Sequence, residues 1–444
     1  MKKGISGYIA GAFLQSKLSL LLMISFLIVG IYSLTLIPRE EEPQIKVPAA
    51  DIFIQLPGAS PGEVENQIIS PLEQVLSNVK GVEHLYSSSM NGQGMLTVQF
   101  FVGEEIEPSL VKLYNEIMKH MERMPPGSSM PLIKTRSIDD VPVLAMTLWS
   151  DKSSDYMIRQ QAELISQEIK KIPHITDIKL LGGRTKQVRI ALDKSKMAGH
   201  NLDITTIEKY IQGANRQMTA GSAYQGNEVY IIKTNNFLTS AEEVSHLIVG
   251  MNGNTPVYLK DIAKVTEGPS KPVSYVSFKG TSAVTIAVNK QSGTDANKLS
   301  NKVLAKVKRM ENGQIAQDMH IAITRNYGAS ASDKVSELLL HLMLSILAVT
   351  LFVMLAMGWR GGLVVFLSVP VTFALTLFAY YFMDYTLNRI TLFALVFVTG
   401  IVVDDSIIVA ENMHRHFKMN YPSMKEAAIF AIDEVGNPTI LATF

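Results

Sequence analysis

Four long apolar runs decide what this chain can fold into. Leu18 to Ile37 and Leu363 to Met383 contain no charged residue, Leu338 to Met357 contains one histidine, and Ile390 to Val409 is apolar except for Asp404 and Asp405. About 20 apolar residues cross the ~30 Å hydrocarbon layer as a helix. Each run is long enough, and three of them crowd the last quarter of the chain. The first run follows Lys2, Lys3 and Lys17 but is too long for a signal-peptide core. Leu36-Ile37-Pro38-Arg39 offers no small-residue cleavage site, so the run reads as a retained anchor. Basic residues at the amino terminus, at Arg360 and at Arg415, Lys418 and Lys425 place those segments inside. The loop from Asp384 to Arg389 then falls outside, as does the stretch of about 300 residues from Pro38 to Ser336, too long for its own charges to set topology.

The averages conceal this. The chain has 444 residues, 41 Lys+Arg against 40 Asp+Glu, and 47% hydrophobic residues, because the long extramembrane stretch dilutes the runs. A formal charge of +1 carries no electrostatic footprint for nucleic acid. Zero cysteines exclude disulfides, Cys-ligated zinc, thiolate iron–sulfur clusters and a Cys nucleophile.

Within the extramembrane stretch, short strands alternate with amphipathic helices. Ala50–Gln55 reads as a strand. Ser60-Pro61-Gly62-Glu63 supplies an N-cap, a first-turn proline and a capping-box glutamate for a helix to about Leu76. Strands at Val82–Ser88 and Met95–Phe101, a helix opened by Glu107-Pro108 and a strand near Pro131–Arg136 complete a β-α-β-β-α-β order, the ferredoxin-like unit. The order recurs as strand Val143–Trp149, helix Tyr156–Lys171 and strand Ile175–Leu180, then, after an interruption, strand Ala283–Asn289, helix Thr294–Met310 and strand His320–Arg325. The helix-to-strand joints Gly81-Val82-Glu83-His84-Leu85 and His174-Ile175-Thr176-Asp177-Ile178 correspond. The insert, about Arg184 to Pro272, carries its own helix at Ile204–Ala214 and a strand at Glu228–Lys233.

Asp404-Asp405 is the chemical anomaly. A carboxylate costs ~2.5–3.5 kcal/mol at the centre of a membrane helix, so two in succession require a protein or water-filled interior. Neighbouring helical residues point ~100° apart, so the pair spans a wedge that can meet two other helices. Burial and an adjacent like charge both disfavour the ionised form, so the two groups are expected to titrate as one coupled unit able to take up and release a proton.

These residues bring the chain close to a known family. Gly400-Ile-Val-Val-Asp404-Asp405-Ser-Ile-Ile-Val-Ala-Glu411-Asn412, the turn Leu56-Pro57-Gly58-Ala59-Ser60-Pro61 and Pro38 just after the first span resemble the amino-terminal half of a resistance-nodulation-division (RND) efflux permease, in order and over the whole chain. The resemblance implies an α+β membrane protein whose transmembrane helices carry a large periplasmic region of two ferredoxin-like porter subdomains with a docking insert. Its parts would be residues 1–37 (cytoplasmic terminus and first span), 38–136 (first porter subdomain), 137–183 and 273–336 (second porter subdomain), 184–272 (docking insert), 337–410 (spans two to four), 411–437 (a cytoplasmic amphipathic helix) and 438–444 (the start of a fifth span, cut short). It further implies a proton/substrate antiporter that uses the proton motive force and no cofactor or metal. Such a protein works as a homotrimer in the bacterial inner membrane, with a periplasmic adaptor and an outer-membrane channel. Asp404 and Asp405 would relay protons opposite a lysine of a second half. Val141 and Leu181 stand near positions where drug exporters often place phenylalanine, and Tyr327 nearby is still aromatic; these three are the expected substrate-path residues. Metal exporters usually have a single Asp and an Ala at the pair, so the paired carboxylates favour hydrophobic or amphiphilic small molecules over heavy-metal cations. Export of lipid or translocation of protein by a related architecture is the further alternative.

Rival classes are weaker. An intramembrane aspartyl protease needs its two carboxylates on different helices, and here both lie on one. A sensor would want a cytoplasmic signalling domain. The 22 Met read as core and lipid-facing residues, His341 as interfacial, and His414 and His416 as part of a solvated basic face. Pro370 is expected to kink the third span. The helix after Ser423 is expected to close at Gly436 and Pro438.

Overall fold

A computed structural model describes residues 4–14, 16–43, 47–137, 140–234, 237–252 and 255–443. Lys2, Lys3 and Phe444 lie outside the described residues. The described residues begin with helix α1 (Ile5–Phe13), for which the sequence reading named no element, and α2 (Lys17–Leu36).

The first α/β unit follows: β1 (Ala49–Gln55), α3 (Pro61–Val64) running through a π-helical turn at Glu65–Ile69 into α4 (Ser70–Leu76), β2 (Val82–Met90), β3 (Gln93–Phe100), α5 (Ile106–Lys119) and β4 (Leu132–Arg136). The capping box is present: Glu63 N–H donates to Ser60 Oγ at 3.4 Å, and Ser60 N–H donates to Glu63 Oε2 at 2.8 Å. The sheet order is β2-β3-β1-β4, with every pairing antiparallel. Because strand side chains alternate, Ile52, Ile54, Leu96 and Val98 all point to the helix-covered face, where Leu72 and Leu113 close the core.

The second unit begins with β5 (Leu144–Trp149), α6 (Asp155–Lys170) and β6 (Ile175–Leu181). The insert then leaves on β7 (Lys186–Leu192) and contains α7 (Lys194–Gly199), α8 (Ile204–Ala214), a hairpin of β8 (Met218–Gln225) and β9 (Glu228–Thr234), α9 (Ala241–Ser245), a second hairpin of β10 (Ile248–Asn252) and β11 (Thr255–Tyr258), and α10 (Leu259–Ile262). It returns on β12 (Ala263–Pro269), antiparallel to β7, so a two-stranded stalk joins it to the unit. β13 (Ser277–Phe278), β14 (Thr281–Lys290), α11 (Ala296–Glu311) and β15 (His320–Asn326) complete the second sheet, in which β14 lies between β6 and β5, and β5 between β14 and β15. The corresponding joints of the two units share a backbone device: Gly81 (φ 96°) and His174 (φ 70°) are both left-handed, reversing the chain from helix to strand.

The remaining helices are α12 (Tyr327–Met357), α13 (Trp359–Phe382), α14 (Arg389–Phe417) and α15 (Met424–Thr443). Among the described residues α2, α12, α13 and α14 are long and apolar enough to cross a membrane. The 31 residues of α12 start well before the apolar run at Leu338, continuous with β15, and make a rod of ~46 Å, longer than the ~30 Å thickness of a hydrocarbon layer. The seam between these helices is built from Leu342, Ile346, Val365, Val369, Leu395 and Val403. α2 meets α13 at Gly30, where a Cβ would stand 2.3 Å from Ala374 Cα.

Two expected boundaries move. α14 runs without a break to Phe417, past Val409. α15 does not close at Gly436 and Pro438 but continues through both. Gly436 is not a left-handed cap; it is small because Ser6 of α1 approaches to within 2.6 Å of where a Cβ would be. Just beyond Pro438, the Thr439 hydroxyl donates to Val435 C=O at 2.8 Å, one of the ways a proline is accommodated inside a helix.

Candidate functional site

The face that α14 turns inward is a helical stripe: Leu392, Leu395, Thr399, Val403 and Ala410 are buried. Its amino-terminal end is fixed by Asn388, whose Oδ1 accepts from Ile390 N–H and Thr391 N–H, both at 3.0 Å. Ser406 ties the middle to α13, its hydroxyl 2.9 Å from that of Ser368. Asp404 and Asp405 therefore lie beside the packed stripe, toward α15. Asp404 is exposed in the chain and Asp405 half-buried. Together with Gly400, Ile401, Ile408, Pro438 and Thr439 they line a groove of ≈ 660 Å³ between α14 and α15. Among the described residues lining it there is no lysine or arginine, so the aspartate pair, with Glu434 at one end, faces an otherwise largely apolar cleft.

A polar lock that the sequence did not reveal closes that end of the groove. The Glu434 carboxylate on α15 accepts from Arg415 Nη2 at 2.7 Å, His416 Nε2 at 2.6 Å and Asn412 Nδ2 at 3.2 Å, all on α14. Asn412 Nδ2 also donates to Ala431 C=O at 2.8 Å. The Tyr421 hydroxyl stands 2.8 Å from His416 Nδ1. His416 is thus buried and bonded, which corrects its assignment to a solvated face; His414 is exposed as expected. The three donors, Arg415 foremost, hold the Glu434 carboxyl down to about 2 from an ordinary 4.5. A depressed carboxyl contributes stability that is present above its unfolded value and lost as pH falls through its folded one. The stability gap between the native protein and Glu434→Gln is therefore expected to hold from neutral pH to about 4.5 and to close as pH falls toward 2. Thermal unfolding of both proteins across that range checks it; a gap that stays constant would reject the assignment.

On the other side of α15, the Asp433 carboxylate accepts from Gly4 N–H at 2.9 and 3.0 Å and from Gly7 N–H at 2.9 Å. An acid on α15 thereby caps the start of α1, where the helix dipole and free N–H groups favour an anion. No local sequence signal marks a contact across 429 residues.

The three expected substrate-path residues do not converge. Tyr327 N–H donates to Val143 C=O at 2.9 Å, which puts it at the same end of the second sheet as Val141. Leu181 pairs through Thr285 with Thr147, four residues beyond Val143 and thus ~14 Å along the sheet. Val141 and Leu181 are exposed, while Tyr327 is half-buried and packs under the Arg325 guanidinium, 3.8 Å from its ring centre. Among the described residues no group of three or more His, Asp or Glu is placed to hold a metal ion.

Comparison with known proteins agrees on one family. A family model described as AcrB/AcrD/AcrF matches residues 9–444. The Multidrug resistance protein MdtC of Pantoea ananatis is 27% identical over 419 residues, 94% of this chain and 41% of that protein. MdtC of Photorhabdus laumondii is 26% identical over 94% of this chain and 40% of its own length, and MdtC of Proteus mirabilis 27% over 94% and 41%. The chain spans about two fifths of the length of these curated relatives.

Proposed function

The chain belongs to the AcrB/AcrD/AcrF family of RND efflux permeases, and from that premise we propose that it forms the amino-terminal half of a proton-driven exporter of hydrophobic or amphiphilic compounds. The observation that carries the proposal is the pair Asp404–Asp405 on a membrane-length helix, facing a groove rather than the packed seam. Carboxylates in such a helix are costly unless they work, and the work available to two adjacent acids is proton uptake and release. The counter-charge, by analogy with the family, is a lysine from another helix entering that groove. Asp404 and Asp405 act as the relay, and no cofactor takes part.

Both extramembrane units share the strand order of a ferredoxin-like sheet, with helices on one face. This supports reading them as porter subdomains in the periplasm, lining the substrate path at Val141, Tyr327 and Leu181. The stalked insert is then the docking element toward an outer-membrane channel. In this reading the permease sits in the inner membrane as a homotrimer, served by a periplasmic adaptor. The relatives' name, multidrug resistance protein, supports reading a broad small-molecule substrate class.

The driving force is the part to test. Cells that express the complete protein with its partners are expected to extrude ethidium, and a protonophore is expected to stop extrusion within the time the gradient takes to collapse. Extrusion that continues after collapse would remove the proton from the mechanism.

A further inference from the structure

We propose that the Glu40–Lys290 ion pair is the joint through which the Asp404–Asp405 helix moves the second extramembrane sheet, a role that rests on the proton-driven reading above.

The argument starts at the segment leaving the first span. α2 ends at Leu36, Ile37 is buried, and the chain turns away from the membrane helices at Pro38. There the backbone is stitched to the loop that precedes α14. Leu387 N–H donates to Pro38 C=O at 2.9 Å, and Glu40 N–H donates to Leu387 C=O at 3.0 Å, with Arg39 and Leu387 forming a parallel bridge. Leu387 is fully buried, and its neighbour Asn388 is the residue that caps α14. The outer end of the relay helix is thus fixed to Arg39-Glu40 by backbone hydrogen bonds on both sides of one residue.

The same dipeptide grips the second unit. The Glu40 carboxylate lies 2.6 Å from Lys290 Nζ, with side chains only 4% and 12% exposed. Lys290 is the last residue of β14, the strand between β5 and β6. Arg39 C=O accepts from Ala296 N–H at 3.3 Å, in the first turn of α11, and Arg39 Nη1 is 3.4 Å from the Ser332 hydroxyl on α12. Glu40 is therefore bonded through its backbone to the α14 loop and through its side chain to the sheet.

The chemistry suits a joint. A buried, hydrogen-bonded ion pair is geometrically specific, and severing one partner leaves the other charge uncompensated. A hydrophobic contact in the same place would let the two bodies slide. Asp404 lies 15 residues into α14, ~22 Å from its outer end along a continuous helix, so a shift of that rod on protonation is delivered to Leu387 and from there to Glu40. A neighbouring ionic contact, Arg389 with Glu42 at 3.7 Å, is exposed on both sides and contributes little hold.

The test uses the complete protein in proteoliposomes with an imposed pH gradient, ethidium as the exported probe and a trapped pH dye, with both fluxes expressed per folded molecule. Glu40→Gln and Lys290→Met are each expected to cut ethidium export about tenfold, a typical size for a coupling free energy, while proton flux falls less than about twofold. The exchanged pair Glu40→Lys with Lys290→Glu is expected to restore export. Unchanged export in both single variants, or an equal fall in both fluxes, overturns the joint. Failure to recover folded protein from the single variants and the exchanged pair alike also overturns it, since the pair would then be a folding requirement. Asp404→Asn run alongside separates the two levels. If it leaves both fluxes intact, the proton-driven reading has failed; if it abolishes both while Glu40→Gln alters neither, only the joint has.

Discussion

Replacing Asp404 by asparagine is expected to reduce efflux by the complete protein to the level of cells that lack it, with the amount of protein in the membrane unchanged. Asparagine has nearly the shape of aspartate but no titratable proton. Asp404 faces the groove and takes no part in the stripe of Leu395, Thr399 and Val403 that packs α14 against its neighbours, so the fold has little reason to respond. On the proton-driven reading proposed above, the driving force does. One proton crossing ~100 mV supplies ~2.3 kcal/mol, equivalent to an accumulation ratio of about 50-fold. Losing it removes that factor for each proton the cycle uses. Asp405→Asn is expected to act in the same direction, because both carboxylates line the same groove. Ethidium efflux in cells, normalised to membrane protein, decides the matter; efflux at the native rate in either variant would end the relay assignment.

The second large effect concerns assembly. Gly30→Val is expected to prevent α2 from seating on α13. Its Cβ alone would stand 2.3 Å from Ala374 Cα and 2.8 Å from Ala374 C=O, and these are backbone atoms that no rotamer change can move. Overpacking against side chains typically costs ~1–3 kcal/mol, and a backbone collision lies at or above the upper end of that range. Small residues at such crossings are what allow membrane helices to approach closely. Gly400→Val is the control for stability, since a Cβ there meets nothing within 4 Å. Thermal unfolding of the detergent-purified proteins should show a large loss for Gly30→Val and almost none for Gly400→Val; equal stability would mean that the helices do not depend on this contact.

The parts of the molecule that were legible in the sequence are those written locally. Hydropathy located α2, α12, α13 and α14, because a membrane span announces itself by length and composition. Period-two and period-3.6 patterns located both β-α-β-β-α-β series, and the likeness of the joints at Gly81 and His174 follows from a shared left-handed turn. Asp404 and Asp405 stood out as charges in an apolar run. Which way they face did not, since a helix apolar all round has no polar side to read. Pairings between distant segments were equally invisible. Nothing near Glu434 announces Arg415 and His416, nothing near Glu40 announces Lys290, and His416 looked solvated because its neighbours are charged. Gly436 and Pro438 misled for a related reason: both commonly end helices, but one makes room for Ser6 and the other is accommodated within α15.

The cap that Asp433 places on α1 sets a timetable for biogenesis. Gly4 and Gly7 leave the ribosome early, yet the carboxylate that receives their N–H groups is encoded more than 400 residues later. At ~5–20 residues per second, the helix waits roughly 20 to 90 s for its partner. Ile5, Tyr8 and Ile9 remain exposed in the fold described above, and during the wait a lipid surface is the natural resting place for an apolar helix tethered a few residues before a helix of membrane-spanning length. Helix α1 can therefore dock only after α15 has been made, so its arrival there reports that the helices between the two have been synthesised.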